Sequence, residues 1–289
     1  MHSIHIEEII LWKKKQLSKG GDKESLDFLL DSVGGLSKKD LNFYRFNSEK
    51  KIFIKKNLPH LESLWAYHLK ELCPIQYLCG TTFWRDLRLK ITDKVLIPRP
   101  ETELIVDIIL KIFGKNSQKL LFAELGTGSG AISISIALAY PLWEGVATDI
   151  DQDALDLASK NYNNYCETKN LRFYCGHWWN PLESYKGKLD LVISNPPYIP
   201  KSIYEKLPTQ VKTHEPKIAL FGGEDGLEHI REIIEKAPLF LRRNGWLILE
   251  NHFDQGDNVK KLLINKRFSS VKTLNDFSGI GRFTMGRYK

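Results

Sequence analysis

The chain has 289 residues, 42% of them hydrophobic, enough to build one large domain or two. No apolar run approaches the ~20 residues of a membrane span, and Met1-His2-Ser3-Ile4-His5 does not open a signal peptide, so a soluble, cytoplasmic protein without a membrane partner is expected. The net charge of +7 points to a polyanionic surface among the partners, and +4 of it lies in residues 1–85.

In chain order, residues 1–72 read as helical. Ile6, Ile9, Ile10 and Leu17 lie at helical spacing, and Ser25 to Leu30 continues to a Gly34-Gly35 stop. Ser37 reads as the N-cap of Lys38 to Tyr44. Leu58 to Leu72 forms another amphipathic helix, closed by Pro74. Lys13-Lys14-Lys15 and Lys55-Lys56 read as solvated helix faces. Thr81 to Trp84 and Leu87 to Ile91 then read as a β-hairpin. From about residue 98 the chain alternates. Helices are expected at Glu103 to Phe113, Ala131 to Leu138 and Asp153 to Asn163. Strands are expected at Leu120 to Glu124, Val146 to Thr148, Leu171 to Phe173, Leu189 to Ser194, Trp246 to Glu250, near Val271, and at Phe283 to Gly286. Such alternation implies an α/β doubly wound sheet.

Glu124-Leu125-Gly126-Thr127-Gly128-Ser129-Gly130 leaves the first of these strands and opens a helix. Glycines there permit a tight turn and let a ligand approach backbone N–H groups. The spacing also fits G-x-G-x-x-A through Ala131, which leaves a nicotinamide cofactor open. The next strand ends at Asp149, whose carboxylate suits ribose hydroxyls. Asp151 competes for that role but falls past the strand end, and Asp153 reads as the N-cap of the following helix. Trp178, in Gly176-His177-Trp178-Trp179, fits either an adenine face or simple apolar burial. Glu124 fits three tasks equally: orienting the loop, contacting a cofactor amino group, or serving as a structural carboxylate. The cysteines (Cys73, Cys79, Cys166, Cys175) lack CxxC spacing, and the pair Cys175 and His177 has no partners nearby, so no metal is expected.

Asn195-Pro196-Pro197-Tyr198 follows the strand that ends at Ser194. The Asn amide offers an acceptor and a donor, and the prolines remove backbone donors, leaving neighbouring carbonyls free to accept. Together with Tyr198, a flat face, they make a cup for a planar nitrogen bearing N–H groups. Hydride transfer gives this cup no task. Methyl transfer from S-adenosylmethionine does: the Asn195 side-chain oxygen and the Pro196 carbonyl would grip an amide or exocyclic amine. They would orient its nitrogen and stabilise the charge developing on it.

The chain resembles the release-factor glutamine methyltransferases of the HemK type. The resemblance runs through Pro74 to Leu78, Ile97-Pro98-Arg99-Pro100-Glu101-Thr102-Glu103, Gly126 to Gly130, Asn195 to Pro200, Glu215-Pro216, Ala219 to Leu227 and Asp254-Gln255-Gly256, covering about residues 70–289. It implies a Rossmann-like, seven-stranded class I methyltransferase domain at 98–289. A small α-helical substrate-binding domain (1–77) and a β-hairpin linker (78–97) precede it. It implies S-adenosyl-L-methionine as cofactor, with S-adenosyl-L-homocysteine as product. Gly126, Thr127, Gly128, Ser129, Gly130, Asp149, Trp178 and Asn195 would be the cofactor contacts. Asn195, Pro196, Pro197 and Tyr198 would form the substrate site, with Asn195, Pro196 and Tyr198 catalytic. The implied nucleophile is the glutamine of the Gly-Gly-Gln loop in class 1 peptide chain release factors, methylated on N5. The expected enzyme is a monomer that needs no nucleic acid. Arg99 and Glu215-Pro216 are lining elements without an assigned role.

Two positions depart from the family pattern. His177 stands where relatives carry Asp, a carboxylate able to accept from the adenine amino group. Glu250-Asn251-His252 stands where relatives are more apolar and contain glycine. Three alternatives share the cup: methylation of a ribosomal-protein glutamine, of adenine N6 in DNA, or of guanine N2 in RNA. A DNA enzyme would have to flip its base and usually carries a target-recognition domain, for which no block is evident. A non-catalytic adenosine-binding module would not need the cup.

Overall fold

A computed structural model describes residues 1–44, 51–114, 118–166 and 169–289. The chain forms two compact units, one of Met1–Thr82 with Thr209–His214, the other of Phe83–Pro208 with Glu215–Lys289. Among the described residues, no helix is long and apolar enough to cross a membrane.

The first unit holds β1 (His2–His5), α1 (Ile6–Leu17), α2 (Lys23–Leu29), α3 (Lys38–Tyr44), β2 (Lys51–Ile54), α4 (Leu58–Glu71) and α5 (Ile75–Cys79). Apolar stripes spaced three to four residues apart close its core, with Ile6, Ile9, Leu26, Leu29, Leu61 and Trp65 fully buried. The predicted cap is present, Ser37 Oγ accepting from Asp40 N at 3.1 Å. The all-helical expectation is corrected by β1 and β2, which pair antiparallel from His2↔Ile54 to His5↔Lys51. Lys51 to Ile54 alternates exposed and buried. Four residues carry that period of two too briefly to betray it, and the partner strand lies at the far end of the unit.

The division between units falls inside β3 (Thr81–Trp84), and β4 (Leu87–Lys90) belongs to the second unit. Lys90 is bound there at both backbone groups by Asn161, N–H to Oδ1 at 2.8 Å and carbonyl from Nδ2 at 2.9 Å. The second unit continues with α6 (Leu104–Phe113), β5 (Leu121–Leu125), α7 (Ala131–Ala139), β6 (Glu144–Asp149), α8 (Gln152–Asn163), β7 (Leu171–Cys175) and β8 (Leu189–Ser194). After α9 (Lys201–Tyr204) and α10 (Thr209–His214, in the first unit) come α11 (Glu228–Phe240), β9 (Leu241–Glu250), α12 (Gly256–Asn265), β10 (Phe268–Asn275) and β11 (Gly281–Tyr288).

Among the described residues these strands make a seven-stranded sheet ordered β10-β11-β9-β8-β5-β6-β7. From β9 to β7 the neighbours are parallel, while β11 is antiparallel to both β9 and β10. Every residue of β8 is buried, as its largely apolar run requires, and Asp190 and Ser194 are buried with hydrogen-bond partners. The order reverses at β5: β6 and β7 extend one side, β8 and β9 the other. That switch point opens a crevice at the carboxyl ends of β5 and β8. Leu125 pairs with Ser194, and Ser194 Oγ donates to Leu125 O at 2.7 Å. Gly126 and Asn195 therefore leave the sheet side by side.

The cap of α8 is Asp151, not Asp153: its side chain accepts from Asp153 N at 2.8 Å and Ala154 N at 3.4 Å. Because β6 runs on to Asp149, Asp151 is the last residue with extended backbone, and Asp153 is already helical.

Gly145 in β6 is flanked in register by Phe122 of β5 and Leu171 of β7. A Cβ there would overlap the Phe122 ring and stand 2.7 Å from Leu171 Cδ1. Gly145→Ala is expected to destabilise the protein by about 1–3 kcal/mol through overpacking. Urea unfolding measures this, and unchanged stability would show that the sheet yields at this point.

Candidate active site

The glycine loop is a closed piece of backbone engineering. Gly126, Gly128 and Gly130 all have positive φ (74°, 53° and 84°), the left-handed conformations that glycine adopts without strain. The expectation that its N–H groups face a ligand is corrected for four of them. Gly126 N and Thr127 N both donate to Thr148 O at 2.9 Å, Gly130 N to Thr127 O at 2.9 Å, and Gly128 N to Asp149 Oδ2 at 2.8 Å. The N-terminus of α7 already holds a carboxyl group. Glu124 Oε2 accepts from Thr127 Oγ1 at 2.6 Å and from Ser133 N at 3.0 Å. Among the three readings of Glu124, orienting the loop is thus visible. A pyrophosphate at such an end would meet that carboxyl group and a loop with four of its N–H groups engaged. The loop therefore disfavours a dinucleotide.

A cleft of about 240 Å³ opens over this loop, lined among others by Trp84, Arg99, Thr102, Glu124, Gly126, Asp149, Trp178 and Asn195. Thr127, Gly128, Ser129 and Pro197 also line it, whereas Gly130, Pro196 and Tyr198 do not. Asp149 Oδ1 accepts from Asp151 N at 3.1 Å, and burial raises the Asp149 carboxyl above its ordinary range. Its two oxygens keep further lone pairs for ligand hydroxyls. The tryptophan pair divides its work. Trp179 is fully buried and stacks on Phe240 at 4.6 Å, while Trp178 lines the cleft above Gly126. A Cβ on Gly126 would meet Trp178 Cζ3 at 3.1 Å, so glycine lets the ring settle there.

The cup is anchored by two residues that sequence reasoning left out of the site. Glu250, at the end of β9, is fully buried. Its Oε2 accepts from Thr102 Oγ1 at 2.7 Å and its Oε1 from the Tyr198 hydroxyl at 3.1 Å. Since the Thr102 hydroxyl hydrogen is committed to Glu250, its oxygen must accept, and Asn195 Nδ2 donates to it at 3.3 Å. The Asn195 amide is thereby fixed, with Oδ1 as its remaining acceptor. Among the described residues no hydrogen bond reaches Asn195 Oδ1 or the Pro196 carbonyl. Tyr198 does not present a free face to the cleft; its ring packs toward the core and its phenol is tied to Glu250. Burial, with the Glu250 charge beside it, holds that phenol well above the ordinary tyrosine value.

The remaining motifs brace the cup from behind. Gln255 Nε2 donates to Tyr198 O at 2.9 Å, and Gly222 N to Ile199 O at 2.9 Å. A Cβ at Gly222 would stand 2.8 Å from Pro197 O, so only glycine admits this approach. Asn251, one of the departures, is buried and accepts from Thr284 Oγ1 at 2.7 Å, which ties the end of β9 to β11. Arg99 and Glu215 form an ion pair, Arg99 Nη2 reaching both carboxylate oxygens at 2.7 Å.

Residues 102–209 match the family described as Methyltransferase small domain. A release factor glutamine methyltransferase of Prochlorococcus marinus is 43% identical over 278 residues, spanning 96% of this chain and 95% of that protein. One from Thermosynechococcus vestitus is 38% identical, spanning 93% and 92%. The solved structure of a methyltransferase from Pyrococcus furiosus matches 80% of this chain and 98% of its own, at 20% identity and a TM-score of 0.52, a likeness of fold.

Burial pushes both Glu124 and Glu250 from 4.5 up to about 7. Between those values the unfolded chain has lost protons that the folded protein retains, so stability falls as pH rises across the window. Glu250→Gln removes one of the two ionisations. Urea unfolding at pH 5 and pH 8 is expected to show a smaller loss in the variant than in the wild type; equal losses would contradict the assignment.

Proposed function

The chain belongs to the release factor glutamine methyltransferases, and we propose that it methylates the side-chain amide nitrogen, N5, of the glutamine in the Gly-Gly-Gln loop of class 1 peptide chain release factors. S-adenosylmethionine, when bound, supplies an electrophilic methyl group on a sulfonium. One observation carries the reading at residue level: Asn195 is locked with Oδ1 unused, next to the Pro196 carbonyl and beside the glycine loop.

The donor set suits a cationic cofactor without phosphate. Glu124 and Asp149 bring carboxyl groups into the cleft, and four of the loop N–H groups are already engaged. In this assignment Asp149 accepts from ribose hydroxyls, Trp178 flanks the adenine, and Gly126 to Gly130 shape the floor. Asn195 Oδ1 and Pro196 O accept the two N–H groups of the substrate amide. They turn its lone pair toward the methyl group and stabilise the charge that grows on nitrogen. The methylated nitrogen is acidic and sheds its proton afterwards, so no strong base is needed. Tyr198 takes a different part from the stacking first expected of it: held by Glu250, it braces the cup. The unit of Met1–Thr82 is assigned to holding the release factor.

Incubation with labelled S-adenosylmethionine and, separately, a release factor, duplex DNA, ribosomal RNA and ribosomal proteins tests the substrate. Label is expected on the release-factor glutamine; label on nucleic acid or ribosomal protein with none there would overturn the reading. Asn195→Ala is expected to keep cofactor affinity within a few fold and to lower turnover by roughly 100- to 1000-fold. Thr102→Val, which frees the Asn195 amide to turn over, is expected to lower turnover by up to roughly 100-fold. Near-normal turnover in both would refute the acceptor role.

A further inference from the structure

Three side chains that the amide cup does not use meet beside the same cleft, which two of them, His177 and His229, line. His177 follows β7, while His229 and Glu232 lie three residues apart at the start of α11 and so share one helix face. One ligand atom from each lies within 4.8 Å of the other two, and His177 Nδ1 stands 3.3 Å from Glu232 Oε1. Trp178 packs against both imidazoles, its ring centroid 5.6 Å from each. The pair suggested by sequence does not form. The Cys175 thiol faces Ile150 O at 3.6 Å, and the partners of His177 come from α11 instead.

We propose that His177, His229 and Glu232 form a binding site for a divalent cation of the zinc type. Two imidazole nitrogens and one carboxylate oxygen are a donor set that zinc takes with one position left open. Bonds of about 2.0–2.2 Å in a tetrahedron put ligand atoms about 3.3–3.6 Å apart. The His177–Glu232 pair already has that spacing. His177 and Glu232 are 40% and 34% exposed, so small side-chain rotations close the rest without disturbing the core. Magnesium, which prefers oxygen ligands in an octahedron, does not suit the set. One charge competes: Lys236 Nζ lies 3.8 Å from Glu232 Oε1, a loose i,i+4 pair on the surface. A doubly charged ion held by three ligands displaces it. Bound there, the ion ties the turn that carries Trp178 to the first turns of α11.

Isothermal titration of the full chain with zinc chloride tests the site. The wild type is expected to bind one ion saturably. His177→Ala, His229→Ala and Glu232→Gln should each weaken it by at least about tenfold, because each removes a ligand. His60→Ala and Cys175→Ala should leave it unchanged, and magnesium chloride should give no such isotherm. Lys236→Ala, which removes the competing ammonium, is expected to tighten binding, and it leaves all three ligands in place should a ligand variant misfold. A wild type without a saturable zinc site would overturn the proposal. So would an isotherm that survives His177→Ala and His229→Ala, or one lost equally in Cys175→Ala.

Discussion

The parallel pairing of β5 with β8, in the register that sets Leu125 beside Ser194, is the constraint on which the site depends. Both strands are buried, and a slip of one residue would turn every side chain to the opposite face. The Ser194 hydroxyl bond to Leu125 O adds a local lock at the carboxyl ends of the two strands. With the register fixed, the glycine loop and the Asn-Pro-Pro-Tyr turn emerge as neighbours. A methyl donor held by the one is then within reach of an amide held by the other.

Beneath each of these two loops lies a buried carboxyl group. Glu124 gathers Thr127 and Ser133, fixing the glycine loop to the start of α7. Glu250 gathers Thr102 and Tyr198, and through Thr102 it decides which way the Asn195 amide points. Burying a carboxyl is costly unless it is hydrogen-bonded, and both are. What they provide is direction. Each donor committed to a carboxylate cannot be offered elsewhere, so the free acceptors of the cup are defined by elimination.

The parts of the site that sequence made visible are those carried by contiguous residues. Gly126 to Gly130, Asp149 and Asn195 to Tyr198 each sit at a strand end, where residue type and position together imply a task. Thr102 and Glu250 stayed hidden because they are 148 positions apart and neither belongs to a local pattern that names the other. Glu250 stands out in the sequence only as a departure from the family pattern, and nothing near it names its partners. The same holds for His177, whose companions arrive on α11, a helix that was not anticipated and that carries Pro238 in its last turn. The α8 cap is not legible because Asp151 and Asp153 suit the task equally as residue types, and only the backbone, extended at Asp151 and helical from Gln152, selects between them. The sheet and its helices were legible from their periodicity, whereas β1 and β2 were too short to show one.

The most direct test is a crystal structure of the protein with S-adenosylhomocysteine and a peptide containing Gly-Gly-Gln. The account predicts the glutamine side-chain nitrogen within hydrogen-bond distance of both Asn195 Oδ1 and Pro196 O, and facing the cofactor sulfur. A glutamine amide seated elsewhere, or an Asn195 amide turned so that Nδ2 faces the substrate, would contradict it.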